Sequence, residues 1–372
     1  MSGGNEQQVR RFISNKNSDG TFNGTISQIL GKEGLKLKAI VKSGEQDLEQ
    51  IEKLGTTIFG YVWNSVTDEM GVKFPVNLSK KRRSVRVQPN ITLSEVDKLG
   101  EIRLTKRILL GFVNSFGDQL GIASPWYMKL KLLMKKLYQL NEPLSWDESI
   151  PLGNRQEWLD VMVEALTTGV LMFPRSTRPL NATGEGPMLI GTWDGALPGF
   201  GGNVYLRWPT VCTHLENCAG NGDYYASLVI SKGRVCPLRG YTVPRSELCG
   251  ALVTSRLLLT IAIALSKLEE KPTTAIMLLD SRCTISALEA TSSNLLPFYQ
   301  NRVSEILENL ESLRKYCTVE SVHWISSSDN PADLLTRGDV WLKDIGPNSF
   351  HQLEPKFFHF PLGKMASQQG VC

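Results

Sequence analysis

Four carboxylates in the later part of this 372-residue chain stand where they could do chemistry together: Asp194, Glu247, Asp280 and Asp333. Asp194 ends a strand-like apolar run, Met188 to Trp193, and Asp280 ends another, Thr274 to Leu279. Glu247 falls in the first turns of a long apolar helix, Pro244 to Lys267, and Asp333 begins a last helix after Asn330-Pro331-Ala332. Ligands of open α/β sheets gather at strand ends, so these spacings would converge the four acids there. Clustered carboxylates repel one another and require a cation. Hard oxygen ligands select Mg²⁺ or Mn²⁺ over zinc. Two such ions, about 3.5–4 Å apart, can activate a water and stabilise the leaving oxygen of a phosphodiester. Any one of these acids alone reads as a cap or a surface charge; four at matching boundaries are the stronger signal.

The elements that must position them follow from periodicity. Strand patterns recur at Met188 to Trp193, Asn203 to Trp208 and Tyr225 to Ile230, separated by turn residues. The long helix is followed by the strand Thr274 to Leu279, a helix over Leu296 to Lys315 and a last strand, Val319 to Ile325. This order predicts a mixed sheet with helical crossovers and acids at its strand ends. Upstream, Thr57 to Val66 reads as a strand, and helical periodicity dominates from Ser94 to Gln139. There Leu104, Ile108, Phe112 and Phe116 recur at spacing four, which predicts one helix face, and Ser94 with Asp97 resembles a weak capping box.

Composition narrows the function classes. Hydrophobic residues are 41% and charged residues 21%, a globular balance. No apolar run approaches the ~18 residues of a membrane span, and the first residues lack the apolar stretch of a secretory signal. An intracellular protein without a membrane partner is expected. The seven cysteines, odd in number and irregular in spacing, read as reduced thiols. Cys212, His214 and Cys218 lack a fourth ligand and read as a polar loop. Residues 1–150 hold 22 basic against 16 acidic residues, a balance of +6, while the remainder carries −2. A polyanion contacted through the first part fits this asymmetry, and Lys80, Lys81, Arg82 and Arg83 form its densest cluster.

From about Gly55 to Trp341, roughly three-quarters of the chain resembles the connection and ribonuclease H region of BEL/Pao-type retrotransposon polyproteins. The resemblance rests on Thr105-Lys106-Arg107 with FGDQLGIASP (Phe116 to Pro125), SKGRVCPLRGYTVPRSEL (Ser231 to Leu248), Asp280-Ser281 with Asn301-Arg302-Val303, and NPADLLTRG (Asn330 to Gly338). Trp146-Asp147-Glu148 also fits. It implies an α/β fold, a ribonuclease H-like mixed five-stranded sheet with flanking helices, preceded by a mainly helical connection-like domain. It further implies two-metal cleavage of the RNA strand of an RNA–DNA hybrid, with Asp194, Glu247, Asp280 and Asp333 as metal ligands. Arg245, Asn301 and Arg302 match family positions expected to contact the hybrid.

The expected organisation is a polar segment over residues 1–54 that would follow a reverse transcriptase palm, then a connection-like domain over 55–185. A ribonuclease H-like domain over 186–341 and a C-terminal tail over 342–372 complete it. Other parts of such a polyprotein are possible partners, in a cytoplasmic particle or the nucleus. No Asp-Asp pair occurs in the chain, so polymerase activity is not expected of it. The mobile His that many ribonucleases H carry before the last acid is replaced by Ser326-Ser327-Ser328, and His323 reads as structural. Ser246 and Ser281, next to acids, are candidates for reading the ribose 2′-hydroxyl. Two alternatives stand beside this reading. An aspartic peptidase is suggested by the Pao peptidase label and by Leu278-Leu279-Asp280-Ser281, although Arg282 replaces the glycine such a motif needs. An inert nucleic-acid-binding remnant is the other.

Overall fold

A computed structural model of the chain describes residues 57–58, 60–79, 81–82, 85–86, 89–211, 223–268, 270–289 and 295–352. Its first half carries β1 (Thr57–Ile58), β2 (Tyr61–Asn64), β3 (Glu69–Lys73), β4 (Lys81–Arg82) and β5 (Val85–Arg86). The helices α1 (Lys106–Val113), α2 (Ser124–Tyr138) and α3 (Leu152–Thr168) follow, then β6 (Val170–Pro174). The run from Thr57 to Val66 is thus a hairpin, not one strand: Gly60 takes φ +95° between β1 and β2. β3 pairs with β2 on one side and, after the three helices, with β6 on the other, forming a small antiparallel sheet. The expected helical face is also divided. Only Ile108 and Phe112 lie on α1, while Leu104 and Phe116 reach the same core from flanking loops. Thr105 caps α1 by accepting from the Ile108 N–H (3.3 Å), and Pro125 starts α2. The upstream 3₁₀ turn, Leu93–Gly100, is closed by Glu95 accepting from the Thr92 N–H (3.2 Å), not by Ser94 and Asp97.

The second half builds the sheet that matters for chemistry. Its strands are β7 (Met188–Gly195), β8 (Gly199–Thr210), β9 (Asp223–Val235), β10 (Thr274–Leu279) and β11 (Thr318–Trp324). They lie in the order β11-β10-β7-β8-β9, with β7–β8 and β8–β9 antiparallel and β10 and β11 parallel to β7. Every residue of β7 is buried, as expected of a central strand covered on both faces. Leu189 and Trp193 face α4 (Val243–Lys267) and α6 (Pro297–Leu313), with the short α5 (Arg282–Glu289) alongside. Met188 and Ile190 face the opposite way, into a core shared with α1, α2 and α3. By length and composition α4, 25 residues, is long and apolar enough to cross a membrane, yet most of its apolar stretch is buried, against β7, β8 and α6. The expected last helix shrinks to a 3₁₀ turn, Pro331–Leu335. Pro331 starts it, and Thr336 ends it by folding its hydroxyl back to the Asp333 carbonyl (3.0 Å).

Beyond Trp341 the chain docks back on the sheet. Tyr205 donates to the His351 carbonyl (2.8 Å), and Leu228 donates to that of Gln352 (3.0 Å). The His351 ring is fully buried against the Ile122 carbonyl (3.2 Å), and burial lowers its pKa to about 4. The unfolded chain therefore takes up this proton first as pH falls. The stabilisation from the neutral ring is complete above about pH 6.5 and is lost between about 6.5 and 4. Urea melts at pH 7.5 and 5 should show wild type losing more stability than His351→Gln; parallel losses would sink this assignment.

Candidate metal centre

The parallel register of β7 and β10 positions the first two acids. Leu278 pairs with Thr192, so two residues further on Asp280 comes level with Asp194 at the carboxyl edge of the sheet, one strand spacing of about 4.8 Å away. Glu247 arrives from the first turns of α4, which Pro244 helps to start. The approach requires Gly195 at the end of β7: a Cβ there would lie 2.5 Å from the Glu247 Cα. Asp194, Glu247 and Asp280 each offer a carboxylate oxygen, and all three atoms lie within 4.8 Å of one another. Asp333 stands at the rim, on the Pro331–Leu335 turn, with its carboxylate ion-paired to Arg337.

Burial and mutual repulsion govern the electrostatics of this cluster. Asp194 and Glu247 are 8% and 7% exposed. Burial first, then the negative charges of Asp194 and Asp280, push the Glu247 pKa up to about 9. Burial likewise raises Asp194, to about 6, with Asp280 and Asp333 adding repulsion while a hydrogen bond from Thr336 works the other way. Glu247 Oε2 is buried and accepts no hydrogen bond. An orphaned carboxylate oxygen facing two further carboxylates is a donor set that a hard divalent cation completes. The acidic triad, two of its members buried, fits such an ion on chemistry as well as on spacing.

Two neighbours hold the acids in place. The Asn330 amide is wholly buried and donates to the Trp193 carbonyl (2.9 Å) and to Asp280 Oδ1 (3.3 Å). The Thr336 hydroxyl donates to Asp194 Oδ2. Both belong to the NPADLLTRG stretch, whose only residue read as functional from sequence is Asp333. The missed signal is that polar residues flank this acid on a segment that must reach the strand ends. Ser246 does not serve as a reader of ribose: it is fully buried, and its hydroxyl turns back to the Val243 carbonyl (2.8 Å). The Ser281 hydroxyl bonds Thr284 (3.1 Å) at the start of α5.

The remaining candidates are spread more widely. Arg245 precedes Glu247 by two residues, bonds the Gly240 carbonyl (2.7 Å) and stacks over Phe298. Arg302 is tied into the α4–α6 contact, where it donates to Cys249 Sγ (3.3 Å) and to the Phe298 carbonyl (3.0 Å); Asn301 beside it is exposed. Lys81 and Arg82 form β4, whereas Lys80 and Arg83 lie outside the described residues, as do Cys212, His214 and Cys218.

Sheet order, strand directions and the acids at one edge define a ribonuclease H-like domain. Residues 105–281 match the family model described as the Pao retrotransposon-like RNaseH-like domain. Among solved structures, the chain is similar to RNase H1 from the halophilic archaeon Halobacterium salinarum NRC-1. That match has 16% identity and a TM-score of 0.23, over 40% of this chain and 93% of the other. LC11-RNase H1 in complex with an RNA/DNA hybrid matches at 13% identity and TM-score 0.23, over 38% and 88%. The foamy viral protease-reverse transcriptase in complex with dsDNA matches at 12% identity and TM-score 0.30, over 64% of this chain and 44% of that one. No curated protein matches the chain.

Proposed function

We propose that this chain is a hydrolase that cuts the RNA strand of an RNA–DNA hybrid inside the cell. Asp194, Glu247, Asp280 and Asp333 would hold Mg²⁺ or Mn²⁺, in a two-ion arrangement. The observation that carries the reading is the convergence of three carboxylates from β7, β10 and α4, one with an orphaned buried oxygen, at the strand ends of a ribonuclease H-like sheet. When bound, such ions supply Lewis acidity and lower the pKa of coordinated water. The chain's own residues do the rest. Glu247 would release the proton that burial keeps on it at neutral pH, and Thr336 and Asn330 fix the orientation of Asp194 and Asp280. Asp333, ion-paired to Arg337 at the rim, would be the fourth ligand.

The test is a labelled RNA–DNA hybrid offered beside single-stranded RNA, duplex DNA and casein. Cleavage of the hybrid is expected with Mg²⁺ or Mn²⁺ and none with EDTA, leaving 5′-phosphate and 3′-hydroxyl ends. A 2′,3′-cyclic phosphate product, or activity persisting in EDTA, would overturn the mechanism. Degradation of casein would favour the aspartic peptidase instead.

A further inference from the structure

Two of the sequence stretches that carry the family resemblance, FGDQLGIASP and the start of the stretch from Ser231, meet away from the acids. The loop before α2 (Asp118 to Ser124) runs along the outer edge of β9, where Ser231 N–H donates to the Leu120 carbonyl (2.8 Å) and Ser124 Oγ to the Ser231 carbonyl (3.2 Å). Asp118 stiffens this loop by accepting from the Ile122 and Ala123 N–H groups (3.0 and 2.8 Å) and from the Tyr61 hydroxyl (2.8 Å). The loop therefore fixes α2 against β9, and with it the lysines that α2 carries.

Those lysines meet more positive charge. Lys131 and Lys135, one turn apart on α2, reach over to the sheet. Lys131 Nζ donates to the Gly233 carbonyl (3.2 Å), and Lys135 Nζ donates to that of Pro198 (3.4 Å), in the turn just after Asp194. Lys232 and Arg234 flank Gly233 on β9, and both are exposed. None of the four forms an ion pair with an acid of the described residues, and the charges felt by half-buried Lys131 are those of Arg234 and Lys232. Gly233 pairs with Gly201, which pairs with Asp194, so the point on β9 where Lys131 lands lies two strand spacings, about 10 Å, from the strand end that carries Asp194.

We infer that Lys131, Lys135, Lys232 and Arg234 form a second contact with the nucleic-acid backbone, holding phosphates beyond the point of cleavage. Four cations that pair with no acid among the described residues create a positive potential that attracts a polyanion. Phosphates recur every ~3.4 Å along each strand, so a duplex engaged at the acids carries about three past a surface 10 Å away. The inference rests on the nucleic-acid reading of the acid site and gives it a direction: from the acids across β8 and β9 toward α2.

The experiment is a salt titration of hybrid binding in EDTA, by fluorescence anisotropy, with a duplex DNA of equal length in parallel. The wild-type chain is compared with K131Q/K135Q/K232Q/R234Q and with K232E/R234E, which alters only exposed side chains. Each lost phosphate contact reduces the slope of log K against log[salt] by about 0.7–0.9. The quadruple variant should therefore flatten the slope by about three, and both variants should bind at least tenfold more weakly at 100 mM salt. Wild-type slopes and affinities in K232E/R234E would overturn the inference while leaving the hydrolase reading intact. A patch-dependent slope in a protein that cuts no hybrid would uphold the inference and defeat that reading. A wild-type chain that binds neither duplex would defeat both.

Discussion

Asp280→Asn and Asp194→Asn should each lower hybrid cleavage by at least about 10³-fold, which is about 4 kcal/mol of transition-state stabilisation, while leaving the fold intact. Each change removes a charged ligand and keeps the side-chain shape. The carbonyl oxygen of an amide at position 280 can still accept from the Asn330 amide, and one at position 194 can still accept from the Thr336 hydroxyl. The metal-free variants should melt no lower than wild type at pH 8, because one of the mutually repelling carboxylates is gone. Calorimetric titration should show weaker Mn²⁺ binding in both. Activity within tenfold of wild type in either variant would remove that residue from the site. Loss of activity together with a collapsed thermal transition would leave only a structural role.

Much of this site could be read from the sequence because the strand ends mark it. Asp194 and Asp280 each close a mostly apolar strand run, and the parallel register then makes them neighbours. Glu247 could be found because Pro244 marks where α4 begins. Other features depend on tertiary contacts that no local pattern encodes. The expected helix after Asn330 is only a 3₁₀ turn, because Thr336 closes it while its hydroxyl also reaches Asp194. Asn330 and Thr336 look like ordinary turn residues until the segment is laid across β7. Leu104 and Phe116 share a spacing of four with α1 yet flank it, since several segments fill one core and spacing cannot say which residues belong to the helix. The lysines of α2 read as the polar face of an amphipathic helix. Only the pinning of the Asp118 to Ser124 loop on β9 brings them beside Lys232 and Arg234.

Without metal, the protein should lose stability as pH rises from about 5 to 9, and Glu247→Gln should remove most of that loss. Glu247 in the folded chain keeps its proton up to about pH 9 and Asp194 keeps its own up to about pH 6, whereas the unfolded chain releases both near pH 4–4.5. Between those limits the folded state holds more protons than the unfolded one, so stability falls with rising pH. The stabilisation is complete below the unfolded pKa and vanishes as pH passes the folded value. For Glu247 the effect between pH 5 and 9 is on the order of 5 kcal/mol, which in a chain of this size is roughly 5–10 °C of melting temperature. Subtracting the Glu247→Gln curve from the wild-type curve cancels the other titrating groups. A divalent cation competes with the same protons, so stabilisation by Mn²⁺ should grow with pH in wild type and be much reduced in the variant. Superimposable melting curves for the two proteins in EDTA across this range would mean that Glu247 is ionised and solvated in the folded state. The close approach of α4 to Gly195, which buries it, would then be wrong.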